Sequence, residues 1–389
     1  MSKKKSIYLD NAATSHPKPE SVYLAVTEAL RSGGSPGRGS YQQTMTADRL
    51  VFTTREALAD LFNSDKSARF VFTPNATIAI NQALFGLLKP GDRVVTTSVE
   101  HNAVARPLRE LQKRGVEVTK VFADPVSGIV SISELQAACL RKPTRLLLVN
   151  HCSNVIGSIQ PVDGLGCWCH DHGILFMLDG AQSAGSLPID LQSLGVDLFA
   201  APGHKGLLGP QGTGFLYIKE GIELIPLIYG GTGANSHSDE QPQSLPEQLE
   251  SGTLNLPGLT GLLAAIQFVQ QVGVETIRTR EIKLIKKILT GLGSMERVKL
   301  YGPDNVMLRG GAISFNLVND DPSEVGFILD QQEQISVRVG LHCAPDAHRT
   351  IGTYPAGTVR VSPGYFTTES DIDRFLLAIK KLNDKKSTS

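Results

Sequence analysis

From residue 69 to residue 218 the chain alternates short apolar runs with stretches of helical period, and this alternation leaves few architectures open. Short apolar runs bounded by turn residues read as buried strands, and longer periodic stretches as helices. Strands are expected at 69–73, 92–99, 116–122, 145–150, 174–178, 196–201 and 215–218. Helices are expected at 77–88, 103–114, 133–140 (with Ser133 as the cap) and 163–172. Strands separated by helices argue for an α/β fold with a mainly parallel sheet covered on its faces. Helices are expected ahead of this region at 17–31 and 47–62, and after it at 259–272 and 275–292. Between them, 230–248 is polar and rich in Gly, Ser, Gln and Pro, and reads as a long loop. The remainder changes to shorter elements: strands at 311–318, 335–338 and 357–361, and helices at 323–331 and 369–382. A smaller α+β domain is expected there.

At 389 residues the chain is too long for one simple core, which also favours two domains. Lys plus Arg equals Asp plus Glu at 38 each, so charge gives no reason to expect nucleic acid or an anionic membrane as partner. The basic start is followed by no apolar signal core, and no stretch is long and apolar enough to span a bilayer. A soluble, cytoplasmic protein is the expectation. Five cysteines, an odd number in a large chain, argue against a disulfide scaffold. Cys167-Trp-Cys169-His170-Asp-His172 has metal-type side chains. Its spacing is not that of a structural zinc site and it falls in an expected surface helix, so no metal is expected.

The chemistry centres on Ala200-Ala-Pro-Gly-His-Lys-Gly-Leu-Leu-Gly-Pro-Gln-Gly-Thr-Gly214. A nucleotide phosphate loop needs Gly-Lys followed by Ser or Thr at a helix start. Here Gly206 follows Lys205 and a strand follows the loop, so that reading fails. A desolvated lysine between strands suits Schiff-base chemistry, because burial lowers its pKa; a solvated loop lysine is the plain alternative. Upstream, Gly173-Ile-Leu-Phe-Met-Leu-Asp179-Gly-Ala-Gln182 is a buried-strand pattern that ends in an acid. Pyridoxal phosphate enzymes need a lysine for the aldehyde and a carboxylate for the ring nitrogen. Thr77, His101, Asn154, Asp179 and Lys205 all follow expected strands, on the side where open parallel sheets bind ligands.

With these motifs, from Tyr8-Leu-Asp-Asn-Ala-Ala-Thr14 to Arg360-Val-Ser362, the chain resembles the aminotransferase class V family, nearest its cysteine desulfurase and selenocysteine lyase branch. The resemblance implies pyridoxal phosphate fold type I. It implies a large cofactor-binding domain at 13–272 and a small domain of 1–12 with 273–389. It also implies a homodimer with pyridoxal 5'-phosphate on Lys205. Asn75-Ala-Thr77 opens an expected helix, where free N–H groups suit a phosphate. A threonine there also serves as a cap; the resemblance assigns Thr77 and the backbone at Ala76 to phosphate binding. It gives His204 the same task, and Thr253 the same from the other subunit. His101 matches the residue that stacks on the ring and aids proton transfer, although a lone histidine is more often structural. Asn154 matches a residue near the ring and the substrate carboxylate, and Gln182 a partner of the phenolic oxygen. Asp179 matches the ring-nitrogen carboxylate. Arg360 passes for an edge-strand arginine on its own, and the resemblance makes it the bidentate clamp on an α-carboxylate. Arg38, in Pro36-Gly-Arg-Gly39, matches a segment near the site, with a structural salt bridge as the alternative.

Cys343, in Arg338-Val-Gly-Leu-His-Cys-Ala-Pro345, matches the desulfurase nucleophile, and its compact loop predicts a rigid cysteine. Free cysteines are otherwise mostly buried apolar groups. Two departures stand out. Pro202 replaces a serine that the family often has, which removes a phosphate contact of about 1.5–3 kcal/mol unless Thr77, Thr213 or Thr253 compensates. Asp346-Ala-His-Arg349, after the nucleophile, also differs from the best-known group. The implied activity is desulfuration of L-cysteine to L-alanine, with a persulfide on Cys343 passed to a thiol acceptor protein. Selenocysteine lyase, or a lyase on another amino acid, is the alternative within the family. A non-catalytic protein that keeps the fold is the alternative outside it.

Overall fold

The computed structural model of the chain describes residues 6–37, 39, 41–233 and 238–384. In order, its elements are β1 (Ile7–Tyr8), α1 (Glu20–Ser32), α2 (Gln42–Leu61), β2 (Phe70–Thr73), α3 (Ala76–Leu87), β3 (Arg93–Thr97), α4 (Asn102–Lys113) and β4 (Glu117–Val121). Next come α5 (Ile132–Leu140), β5 (Leu146–Asn150), α6 (Leu165–Asp171), β6 (Leu175–Asp179), β7 (Leu198–Pro202), β8 (Gly214–Ile218), α7 (Leu256–Val272) and α8 (Val274–Gly293). The last are β9 (Val298–Tyr301), β10 (Ile313–Leu317), α9 (Pro322–Glu333), β11 (Ile335–Ser336), β12 (Arg338–Gly340), α10 (Pro345–Thr350), β13 (Thr358–Val361) and α11 (Glu369–Asp384).

The main sheet is seven-stranded, in the order β2-β8-β7-β6-β5-β3-β4. The run β7-β6-β5-β3-β4 is parallel, and β8 is antiparallel to both its neighbours. Strands β3, β5, β7 and β8 are buried along their whole length. Burial on both faces explains the apolar runs of β5, β7 and β8. One core packs Phe62, Phe176, Phe199 and Phe215 against one face of the sheet, and another packs Ile80, Val104, Met177 and Leu216 against the other.

A four-stranded antiparallel sheet, β12-β13-β10-β9, forms a separate core with α8 and α11 around Phe315 and Phe375. Strand β1 pairs in parallel with β11, so the start of the chain joins this second sheet region. Among the described residues no helix is long and apolar enough to cross a membrane.

Several expected elements shift. Helix α5 is capped by Ser131, whose side chain accepts from Glu134 N–H, rather than by Ser133. Both are serines near a helix start, and only backbone geometry separates them. Helix α2 begins at Gln42 instead of 47, and the expected strand 335–338 is divided into β11 and β12. Strand β9 and helix α10 have no counterpart in the sequence reading. The six-residue α10 is too short to show a helical period. The loop expected at 230–248 contains no helix or strand among its described residues.

One buried ion pair ties α2 to the main sheet. Arg55 donates to Glu250 at 2.7 Å and to the Phe70 carbonyl at 2.6 Å, and Glu250 accepts from Phe72 N–H. Removing one partner strands a buried charge, which costs about 3–5 kcal/mol. Glu250→Ala should lower the unfolding free energy in urea by about that amount. A loss below about 1 kcal/mol, the worth of an exposed pair, would contradict a structural role.

Candidate active site

The register of the main sheet sets the site. Asn150 and Asp179 stand side by side at the carboxyl ends of β5 and β6, with Ala200 of β7 next to Asp179. Beyond them opens a cleft lined by Asn75, Ala76, Thr77, His101, Asn154, Asp179, Gln182, Pro202, His204 and Lys205, with Asn150 and Cys152.

Helix α3 begins at the cleft. Asn75 caps it by accepting from Ile78 N–H at 3.0 Å, and Thr77 is exposed at its first turn. The glycines of the lysine loop allow close approach here. A Cβ on Gly214 would lie 2.9 Å from the Asn75 backbone, and one on Gly203 would lie 2.2 Å from Thr213 Oγ1. Thr213 itself is buried and donates to the Pro210 carbonyl at 2.6 Å, so it supports the loop rather than lining the cleft.

Lys205 is half-buried, and desolvation pulls it down to about 8 against the opposing pull of Asp179. Asp179 is 2% exposed. Burial pushes its carboxyl up, while the Ala181 N–H at 2.9 Å and Lys205 draw it back. His101 caps α4, its Nδ1 accepting from Ala103 N–H at 2.9 Å. Burial, then Lys205, lowers it to about 4, so the ring is neutral at pH 7 with its proton on Nε2. His204 is also held at about 4, chiefly by burial, and its Nδ1 is buried without a partner. The His204 carbonyl accepts from Ser15 N–H at 3.0 Å and from Lys18 Nζ at 2.9 Å, which fixes the loop from outside. Gln182 reaches the cleft wall with its amide nitrogen on the Ala12 carbonyl at 2.9 Å.

The second sheet region contributes the remaining groups. Arg360 on β13 is 1% exposed, donates to the Asn154 carbonyl at 2.9 Å and pairs with Asp10. Its Nε and Asn154 Oδ1 are buried without hydrogen-bond partners. Cys343 is exposed at the head of the loop before α10. His342 and Cys343 adopt φ of 47° and 60°, left-handed values that cost non-glycine residues energy. Hydrogen bonds hold them there. The His342 carbonyl accepts from Asn154 Nδ2 at 2.6 Å, the Cys343 carbonyl from Asn102 N–H at 2.8 Å, and His342 Nε2 meets Thr358 Oγ1 at 3.0 Å.

Arg338 was not singled out in the sequence. It donates to Cys343 Sγ at 3.5 Å and stands opposite Arg360 in the β12–β13 register. Two arginines face to face repel unless anions lie nearby; Asp10 serves one and the Cys343 sulfur meets the other. Asp10 had no expected role of its own. A cross-strand register is invisible in one sequence, so the signal available for Arg338 was its place five residues before Cys343. Arg38 lies outside the described residues. Thr253 is exposed in the single chain and is not among the cleft residues. Cys169 is buried on α6 and His170 pairs with Asp197 at 2.9 Å. Among the described residues no group of His, Cys, Asp or Glu is arranged to hold a metal ion.

The coupling of Lys205 to Asp179 is testable. The carboxylate favours the ammonium, so Asp179→Asn should move the titration midpoint of Lys205 below about 8. The pH dependence of Lys205 modification by an amine-reactive reagent reads this directly. An unchanged or higher midpoint would contradict the assignment.

A family model described as aminotransferase class-V matches residues 7–375. A probable cysteine desulfurase of Methanothermobacter thermautotrophicus is 37% identical over 374 residues, covering 94% of this chain and 92% of that protein. A cysteine desulfurase of Haloferax volcanii is 31% identical over 384 residues, covering 96% and 88%. Among solved structures, the apo cysteine desulfurase of Thermococcus onnurineus NA1 superposes with a TM-score of 0.90 at 34% identity, covering 97% of this chain and 94% of that one. An Escherichia coli cysteine desulfurase in its S-sulfonic acid form gives 0.86 at 26% identity, with the same coverage. With its motifs, sheet and cleft in agreement with these matches, the chain belongs to the aminotransferase class V family.

Proposed function

We propose that the chain is a pyridoxal phosphate-dependent cysteine desulfurase that converts L-cysteine to L-alanine and carries the sulfur as a persulfide on Cys343. The observation that carries this reading is a thiol, Cys343, pinned beside Arg338 and tied by its carbonyl to the start of α4, where His101 enters the Asp179–Lys205 cleft. Similarity to cysteine desulfurases over most of the chain supports it.

The cleft suits the cofactor. Ala76 and Thr77 at the first turn of α3, with His204, form the phosphate end. The unpartnered His204 Nδ1 is a polar atom available to that end. Pro202 lines it and offers no donor. Asp179 would hold the ring nitrogen, Gln182 the phenolic oxygen, and neutral His101 would lie against the ring. When bound, pyridoxal phosphate supplies an aldehyde for the lysine and a cationic ring that takes up an electron pair.

Lys205 is the amine for that aldehyde. Once free, it is the base for the Cα proton, and a value of about 8 leaves part of it neutral at pH 7. Arg360 grips the substrate carboxylate with an Nε now without a partner, and Asn154, whose carbonyl Arg360 holds, lies beside it. Arg338 holds the Cys343 sulfur beside its guanidinium at 3.5 Å. The Cys343 sulfur then bonds to the substrate sulfur as the carbon–sulfur bond breaks. The carbon keeps the bonding pair, gains a proton and leaves as alanine; the sulfur stays as Cys343–S–SH for a thiol acceptor.

We also read 13–272 as the cofactor domain, and 1–12 with 273–389 as the small domain. The pairing of β1 with β11 supports this division. The site is completed in a homodimer. Ile225, Ile228 and Tyr229 are exposed, and Ile225 lies along α3 through Gln82. The same strip meets the Thr253 loop through Ser251 and the Ile228 carbonyl at 3.0 Å. An apolar strip that joins the phosphate-end helix to Thr253 suits a second copy that delivers Thr253.

With L-cysteine and a thiol reductant, Cys343→Ser should slow alanine release by about a hundredfold or more. Arg338→Gln should slow it about tenfold, the worth of one hydrogen bond to a charged group. Undiminished alanine formation by Cys343→Ser would move the reading to a lyase that does not use this thiol. Ile228→Glu should sediment as a monomer and bind pyridoxal phosphate more weakly. A variant that remains a dimer with full cofactor affinity would overturn the dimer assignment.

A further inference from the structure

The loop that carries His101 is held from below by a group that has no role so far. Glu100 follows β3 and is 3% exposed. Its Oε1 accepts from the Thr97 hydroxyl at 2.7 Å and from Asn150 N–H at 3.0 Å. Asn150 donates its side-chain amide to the Val99 carbonyl at 3.2 Å and stands in register with Asp179. Glu100 therefore ties the end of β3 to the end of β5, one residue before His101. Its Oε2 is buried without a hydrogen-bond partner.

The charges around it are unfavourable to a carboxylate. From the end of β6, Asp179 acts on it with like charge. From the start of α4, His101 is neutral at pH 7. Lys205, after β7, acts on Asp179 and His101. The hydrogen-bond partners of Glu100 are neutral groups. Two neighbouring carboxyls in one buried place do not both ionise easily. Burial pushes Glu100 up to about 8; the Thr97 and Asn150 hydrogen bonds oppose this and Asp179 adds to it.

We propose that Glu100 is a positioning residue that works as a neutral carboxylic acid, fixing the His101 loop to β5 without placing a second negative charge beside Asp179. Asp179 is then left as the anion for a cationic ring nitrogen. The proposal rests on the pyridoxal phosphate reading for this consequence, and its first test does not depend on the cofactor.

The test compares the parent protein with Glu100→Gln, which keeps the shape and cannot titrate. A carboxyl raised in the folded state gives stability that is full below its unfolded value and lost as pH rises through its folded value, here about 8. The melting temperature of Glu100→Gln, relative to the parent, should therefore rise by about 2 °C or more from about pH 5 to pH 8. A flat difference overturns the proposal. At pH 7 the variant should bind pyridoxal phosphate with the parent's affinity and absorption spectrum; a shifted spectrum means that a charge was lost and also overturns it. Glu100→Ala removes the tie and should slow alanine formation at least about tenfold, with Glu100→Gln restoring it. Equal rates in Glu100→Ala and the parent overturn the positioning role. A parent protein that binds no pyridoxal phosphate defeats the cofactor reading instead and leaves the melting comparison valid.

Discussion

Charged groups at the carboxyl edge of a parallel sheet have been taken out of water, and the rest of the site follows from how that cost is contained. Desolvation costs a buried ion several kcal/mol. Asp179 and Lys205 offset one another, and each is pushed toward neutrality by burial. Arg360 is offset by Asp10, and Arg338 meets the Cys343 sulfur. The histidines nearby, His101, His151 and His204, are each held at about 4 by burial and add no charge at pH 7. The balance leaves Arg338, Arg360 and Lys205 as the cations of the site, an arrangement suited to an amino acid that brings a carboxylate and sulfur.

Two sheets with separate cores cooperate to build this arrangement. The seven-stranded sheet aligns Asn150 and Asp179 and starts α3 and α4 at the cleft. The four-stranded sheet supplies Arg338 and Arg360 from adjacent strands. Hydrogen bonds from the Asn102 N–H and the Asn154 side chain reach across to the strained His342–Cys343 turn, so Asn154, which lines the cleft, also helps to position the thiol. Strain in that turn is sustained because several elements hold it at once.

Much of this was legible in the sequence. Continuous apolar runs identified the buried strands because residues covered on both faces have no polar side to show. Polar residues just past those runs pointed to the binding edge, and Ala76, Thr77, His101, Asn154, Asp179, Gln182, His204 and Lys205 do line one cleft. Other features were hidden because they depend on pairing between distant segments. Arg338 matters through its register with Arg360, and Glu100 through a backbone N–H fifty residues away. Thr213, a plausible phosphate ligand by its place in the loop, faces away to the Pro210 carbonyl. Ser131 rather than Ser133 caps α5, a choice that local backbone conformation makes.

The most direct test of the central claim is peptide mass spectrometry of the protein after brief exposure to L-cysteine without reductant. The account predicts one additional sulfur on the peptide that carries Cys343, removable by a thiol reductant. A protein that holds pyridoxal phosphate on Lys205 and turns over L-cysteine, yet carries no added sulfur at Cys343, would contradict it.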